Sequence, residues 1–395
     1  MKYVIVILDG AAGWPLAQLA GRTTLAAART PNLDALAQRG RVGCAQTVPV
    51  GTEPSSSAAC TSILGYDPVN DYVGRGAIEA ASMGIMLGPD QVALRLNLVN
   101  IEGGAMRSYS SGGISTPESN AIVRDVAASL DDETFKLYAG VAYRHILVVS
   151  GHPELLDASY TPPHDISDRR VEPHVPKGAG SELLLGYMER AHKLLENSGV
   201  NRCRMADGEV GATDVWPFWP GVRPKGLESL GEKRGVRAAM SSGVDLLNGL
   251  AVLTGMDRLV IDGVTGGADN DYAAQAAGSI AALAEHDLVV IHVESPDEEG
   301  HEGSVAGKVA AIEAIDRLIV SAVRDRAAVG DVRILAMPDH PTPIEIKTHV
   351  GEPVPFVIWG PGIEHNGAAS YDEEAASSAG LQLDPGSLVM DELLR

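Results

Sequence analysis

The sequence predicts an α/β fold, a parallel sheet flanked by helices, with a small α+β cap inserted into it. Three observations predict it. Apolar, β-branched runs at residues 3–8, 258–261, 288–293 and 332–337 have the length of strands buried on both faces. Helical patterns alternate with them, as a sheet with helices on both sides requires. Acidic residues or histidines follow three of the runs: Asp9, Asp297 and the pair Asp339-His340. In open α/β sheets, sites form outside the carboxyl ends of the strands.

Taken in order, the first run, KYVIVILDG, is ended by Asp9. A helix over 31–39 has Thr30 as N-cap, Pro31 at its first position and Gly40 as stop. The serine-rich turn PSSSAAC then leads into a helix over 57–64. That would place Ser56 at a helix N-terminus, where amides and dipole favour anions. From 113 to 180 the pattern changes. A capped helix begins at Ser115-Thr116-Pro117-Glu118, short strands follow at 135–138 and 145–149, and the stretch SYTPPHDISDRRVEPHVPKGAGS is rich in turns. Residues 113–180 are read as an inserted cap, and 1–112 with 181–395 as the core. A helix over 182–197, capped by Ser181, returns the chain to that core. Helices over 270–286 and 303–325 fill the gaps between the later strands. A weaker strand lies at 355–359. The tail GIEHNGAASYDEEAASSAG reads as a surface loop before a short final helix. The chain carries no internal repeat.

Bulk properties narrow the function. At 45% hydrophobic and 4% aromatic residues, 395 residues can bury a core, and that core must be aliphatic. Three scattered cysteines, Cys44, Cys60 and Cys203, argue against a disulfide framework or a cysteine zinc site. The formal net charge of −21 disfavours nucleic acid as a partner. No apolar stretch approaches the ~20 residues of a membrane span. The short run before Asp9 reads as a strand rather than a signal sequence, so a cytoplasmic protein without a membrane partner is expected.

The chemistry lies in Asp9, Asp297 and His301 of SPDEEGH, Asp339 and His340 of MPDHPTP, and His349 of THVGEPVP. Six nitrogen and oxygen ligands are too many for one tetrahedral ion and suit two divalent ions with open positions. Carboxylates with some imidazoles fit manganese best, with zinc, cobalt or magnesium as alternatives. Asp297 and His301 are four apart, so one helical turn brings both to one ion. Asp339 and His340 are adjacent and can serve one ion only if the backbone bends, as Pro338 and Pro341 allow. Two metals beside Ser56 suggest phosphoryl transfer through a covalent phosphoserine.

The order LDG, a serine turn running into SILGYDP, GRGAIEA, D-x-x-x-H, D-H and H-x-G-x-P-V-P resembles the archaeal-type cofactor-independent phosphoglycerate mutases of the alkaline phosphatase superfamily. The resemblance covers nearly the whole chain. It implies an alkaline-phosphatase-like core with an inserted substrate cap. It also implies interconversion of 3- and 2-phosphoglycerate with two divalent metals and no bisphosphoglycerate. Ser56 resembles the nucleophile. Asp297, His301 and His349 look like one metal site, and Asp9, Ser56, Asp339 and His340 like the other. Arg75, Arg144 and His164 match positions that contact the small phosphorylated substrate, and Thr265 and Asp269 match a loop near the site. The sequence departs from the family at Ser55-Ser56-Ser57, where glycine-serine-aspartate is usual. It departs again at Arg107–Gly113, where an arginine-rich stretch is common, and at Pro338 in place of glycine. These departures keep open a related phosphotransferase or phosphatase on another small hydroxyl substrate such as homoserine. A catalytically silent binding homologue is the remaining alternative.

Overall fold

The computed structural model describes residues 1–71, 74–224 and 227–395. The chain forms two units, Met1–Tyr72 with Lys225–Arg395, and Val73–Pro224.

The first unit is built on an eight-stranded sheet. Its order is Gln382–Leu383, Arg41–Ala45, Val354–Trp359, Val332–Met337, Lys2–Leu8, Leu288–Val293, Ala238–Ser241 and Asp257–Arg258. The three central strands are parallel and almost wholly buried, because every side chain on them meets a helix layer or a neighbouring strand. Their register aligns Leu8 with Val293 and Ile7 with Met337. Asp9, Glu294 and Pro338 therefore leave the sheet at one edge.

The sheet differs from expectation at its flanks. Val354–Trp359 is antiparallel to both neighbours. The apolar run at 258–261 supplies only the edge pair Asp257–Arg258, and the parallel neighbour of Leu288–Val293 is Ala238–Ser241. That four-residue strand, AAMS, is too short and too small-sided to announce itself by hydrophobicity.

Helix ends are set by contacts that local sequence does not contain. Pro31–Ala37 begins as expected, but the Thr30 side chain does not cap it. Instead Asp316, in a π-turn over Asp316–Val320, accepts from the amides of Asn32 (3.1 Å) and Leu33 (2.8 Å). That turn divides the expected 303–325 helix into Val305–Ile315 and Ser321–Ala327. The expected 270–286 helix is the shorter Tyr272–Ala282, capped by the Asp271 side chain. The tail is more ordered than a surface loop. Tyr371 is buried, donating its hydroxyl to the carbonyl of Pro355 (2.9 Å), and Glu373 opens a helix over Glu373–Ser378. The Glu373 carboxylate accepts from Thr23 Oγ1 (2.6 Å) and the Gly13 amide (3.2 Å).

The second unit is an antiparallel sheet covered by helices Thr116–Leu130 and Ser181–Glu196. Gln91–Glu102 is its central strand, paired with Arg144–Ser150 on one side and Asp214–Val222 on the other. Residues 113–180 lie inside this unit, which is wider than the expected cap because its central strand comes before them and a flanking strand after them. Alternation explains the strand's two faces: Val92, Leu94, Leu96 and Leu98 join the apolar core, while Arg95 and Asn97 occupy the opposite face. The capping box at Ser115 and Glu118 forms as expected, whereas Gly180, not Ser181, occupies the N-cap of Ser181–Glu196.

Candidate active site

Five chain segments of the first unit bring the expected ligands and the serine together. Asp9 leaves Lys2–Leu8. Helix Ser295–Glu302 follows Leu288–Val293 and carries Asp297 and His301 one turn apart. Asp339 and His340 lie in the bend after Val332–Met337, His349 lies on the following loop, and Ser56 is the first residue of helix Ser56–Ile63. Ser55, rather than Ser56, caps that helix through its side chain, accepting from the Ala58 amide. Ser56 is thereby free to face His340.

His340 is the hub of one cluster. Its Nε2 lies 3.1 Å from Ser56 Oγ, 3.4 Å from Asp339 Oδ2 and 3.5 Å from Asp9 Oδ1. Asp297 is the hub of the other, with Oδ2 3.1 Å from His301 Nε2 and 3.5 Å from His349 Nε2. The two rings' Nε2 atoms are 2.9 Å apart, close enough to share one cation. The clusters touch, because Asp297, His340 and His349 also converge, their ligand atoms all within 4.8 Å of one another.

The outer ring nitrogens show that this convergence is arranged. His301 Nδ1 faces the Lys347 carbonyl at 2.9 Å, and His349 Nδ1 faces the Pro54 carbonyl at 3.3 Å. A carbonyl can only accept, so each Nδ1 carries the proton and each Nε2 is turned inward. Histidines that hold metals are oriented by such outer partners.

Electrostatics favours cations here. Burial, then the charges of Asp339 and Asp297, push the Asp9 carboxyl well above its usual range. Burial and Asp9 do the same to Glu294. Burial would also raise Asp297, but hydrogen bonds from His301 and His349 hold it well below its ordinary value. The bond to Asp297 lifts His301 to about 9. Asp9 Oδ1 and Glu294 Oε2 are buried without a hydrogen-bond partner. Crowded, partly orphaned carboxylates beside inward-facing imidazole nitrogens fit divalent ions.

Several neighbours escaped the sequence reading. His292 Nε2 donates to Asp9 Oδ2 at 2.6 Å and its Nδ1 meets Ser242 Oγ at 3.0 Å. Asp9, His292 and Glu294 form a further close set of possible ligands. A histidine within an otherwise apolar buried strand, and a glutamate three residues before Asp297, were the available signals. Buried Lys308 donates to the carbonyls of Ala12 (3.1 Å) and Thr342 (2.7 Å), with burial lowering its pKa to about 8. The thiol of Cys60, one turn after Ser56, lies 3.8 Å from Asp339 Oδ2. Gly10 has φ +60°, and a Cβ built there would overlap Asp297 Oδ1 and sit 2.7 Å from Thr342 Oγ1.

The residues expected to meet substrate fall into two groups. In the first unit, Thr265 Oγ1 donates to Asp269 Oδ1 at 2.6 Å. Their loop passes Glu294, since a Cβ on Gly266 would lie 3.9 Å from Glu294 Cγ. In the second unit, Arg75 and His164 both approach Trp219. The guanidinium lies 4.0 Å from the ring centroid and the imidazole meets it edge-on at 5.5 Å. Arg144 begins the strand Arg144–Ser150, is exposed and lies near Tyr143. A missed pair accompanies them: Arg95 Nη1 contacts both oxygens of Glu79 at 2.6 Å, and Arg75 Nε contacts Glu79 at 2.9 Å.

Comparison with known proteins identifies relatives of the whole chain. Residues 37–201 match the family model described as 2,3-bisphosphoglycerate-independent phosphoglycerate mutase. The chain is 40% identical to a Methanosarcina acetivorans protein named 2,3-bisphosphoglycerate-independent phosphoglycerate mutase, over 100% of each chain. Among solved structures, a protein of Pyrococcus horikoshii superposes with a TM-score of 0.84 at 27% identity, covering 100% of this chain and 97% of that one. The cofactor-independent phosphoglycerate mutase of Thermoplasma acidophilum does so with a TM-score of 0.70 at 27% identity, covering 100% and 99%.

Proposed function

The chain belongs to the 2,3-bisphosphoglycerate-independent phosphoglycerate mutases, and we propose that it interconverts 3- and 2-phosphoglycerate through a phosphoserine at Ser56, with two divalent ions. The observation that carries this reading is the placement of Ser56 Oγ. It lies 3.1 Å from His340 Nε2, at the N-terminus of an eight-residue helix and beside the Asp9–Asp339–His340 cluster.

Asp297, His301 and His349 would hold one ion, and Asp9, Asp339 and His340, with Ser56, the other. His340 stands where either ion could draw on it. The bound ions, manganese by the donor set, would lower the pKa of the Ser56 hydroxyl and neutralise the phosphoryl oxygens. The chain's own contribution is geometric. The Ser56 helix directs its first amides at an incoming phosphoryl group. Oγ bonds to phosphorus as the bond to the glycerate 3-oxygen breaks, and the Ser56 proton leaves with the glycerate hydroxyl. Attack by the 2-hydroxyl on the phosphoserine reverses the sequence and restores Ser56. Arg75, Arg144 and His164 are assigned to the substrate's phosphate and carboxylate, for which guanidinium forks are suited. Thr265 and Asp269 are assigned to the loop beside the metal centre. The activity is that of a step shared by glycolysis and gluconeogenesis in the cytoplasm.

An enolase-coupled assay with 3-phosphoglycerate, with and without manganese, tests the reading. Ser56→Ala should lower turnover by about 10⁴-fold or more while two manganese ions still bind. Near wild-type turnover in that variant, or phosphate found on Ser55 or Ser57 by mass spectrometry, would overturn the assignment. Hydrolysis of phosphomonoesters without mutase activity would make the protein a phosphatase on the same scaffold.

A further inference from the structure

Three of the expected ligands are imidazoles, and two of them, His301 and His349, are oriented by main-chain carbonyls. His340 is not. Its Nδ1 lies 3.3 Å from the hydroxyl of Thr342, which is wholly buried. The same Oγ1 is hydrogen-bonded to Asp297 Oδ1. A carboxylate oxygen accepts, so the single hydroxyl proton goes to Asp297 and the hydroxyl oxygen is left to accept from His340 Nδ1–H.

We propose that Thr342 is a positioning residue that couples the two metal positions, through the directed chain His340 Nδ1–H to Thr342 Oγ1–H to Asp297 Oδ1. The inference rests on the two-ion reading above. It joins the hub of one cluster to the hub of the other through one side chain. The chain has one consistent direction. It places a lone pair on His340 Nε2, the atom that faces Ser56, Asp339 and Asp9. It also fixes which Asp297 oxygen is spent, Oδ1, leaving Oδ2 for His301 and His349.

The hydroxyl is held by more than its own rotamer. The Thr342 amide donates to the Ala12 carbonyl at 3.1 Å, and Lys308 Nζ spans the carbonyls of Ala12 and Thr342. The segment carrying Asp9 and the segment carrying His340 are thus fixed to each other by an ammonium on the helix that follows Asp297. The Thr342 methyl packs where a Cβ on Gly300 would sit, 2.8 Å away, so helix Ser295–Glu302 closes directly on this residue. An ion on either hub would pull on a ligand whose partner serves the other, and the second ion would then meet ligands already oriented.

Two measurements on the full chain test this. Manganese titration of metal-free protein by calorimetry should show two ions in the wild type. Affinity should fall about 10- to 100-fold at both positions in Thr342→Val and stay within about threefold in Thr342→Ser. Loss at one position alone, or at neither, overturns the coupling while leaving two-ion binding intact. Fewer than two ions in the wild type overturns the two-ion reading itself. Nitrogen NMR of histidine-labelled, metal-free wild-type protein should show His340 protonated on Nδ1. A proton on Nε2 overturns the inference without recourse to a variant.

Discussion

The two units solve the burial of charge in opposite ways. In the second, Glu79 sits between Arg75 and Arg95, and these guanidiniums hold its carboxyl below its ordinary value although burial alone would raise it. The carboxylate is neutralised by the chain itself. In the first, Asp9, Asp297, Asp339 and Glu294 converge; burial, then Asp339 and Asp297, push Asp9 well upward, and burial, then Asp9, push Glu294 well upward. Lys308 is close, but both its contacts go to carbonyls. The buried carboxylate of one unit is neutralised within the fold, whereas the clustered carboxylates of the other are not. The active centre can therefore be recognised by what its own side chains fail to neutralise.

The sharpest way to break this comparison is to remove divalent ions. Chelation should abolish mutase activity, and manganese should restore it. The first unit should lose about 3 kcal/mol of stability relative to protein at roughly 100 times the dissociation constant. Hydrogen exchange should show that loss in Lys2–Leu8 and Val332–Met337 and none in Gln91–Glu102. Equal loss in both would mean that the second unit also needs ions.

Neutralising one acid in each unit should give opposite signs. Glu79→Gln leaves Arg95 buried with a weaker partner and should cost about 3–5 kcal/mol. Asp9→Asn in metal-free protein keeps an acceptor for His292 and removes a repelled charge, so thermal melting should rise by a few degrees. The same substitution should weaken manganese binding.

The narrowest test is the acid sensitivity of the second unit. Burial, with Arg95 nearby, lowers His145 to about 3, and its Nδ1 accepts from the Gly140 amide. A histidine whose folded pKa is depressed contributes stability in full above its unfolded value of about 6.5, and loses it as pH falls toward 3. Denaturation followed across that window should be steeper for wild type than for His145→Gln, by up to about 1.4 kcal/mol per pH unit. Parallel curves would remove His145 from the account.

Local pattern carried the middle of the first unit. The runs at 288–293 and 332–337 coincide with strands Leu288–Val293 and Val332–Met337, because strands buried on both faces must be apolar throughout. All six expected ligands and Ser56 lie in that unit and converge there, since strand ends are where such a sheet exposes polar groups. What stayed hidden depends on pairing over distance. Ala238–Ser241 is a strand because Leu288–Val293 lies beside it. Pro31–Ala37 is capped by an aspartate 284 residues from Asn32. Thr342 and Lys308 acquire their roles only when the Ala12 and Thr342 segments meet the helices that carry Asp297 and Lys308, and nothing within a few residues of either foretells that meeting. Arg95 was legible in principle, as one polar residue in the alternating strand QVALRLNLVNIE.

Gly10 has a consequence for how this protein can be changed. Its neighbours Asp9, Asp297 and Thr342 can each be varied in a library and scored for altered metal or substrate use. Position 10 cannot, because at φ +60° the space a methyl group would need is already held by Asp297 Oδ1 and Thr342 Oγ1. Every accepted sequence should carry glycine there, whatever the selection rewards. A residue with no side chain thus sets the outer limit of the chemistry reachable from this scaffold by point mutation. Widening that limit requires moving helix Ser295–Glu302 as a body, through insertion or recombination, rather than exchanging residues one at a time.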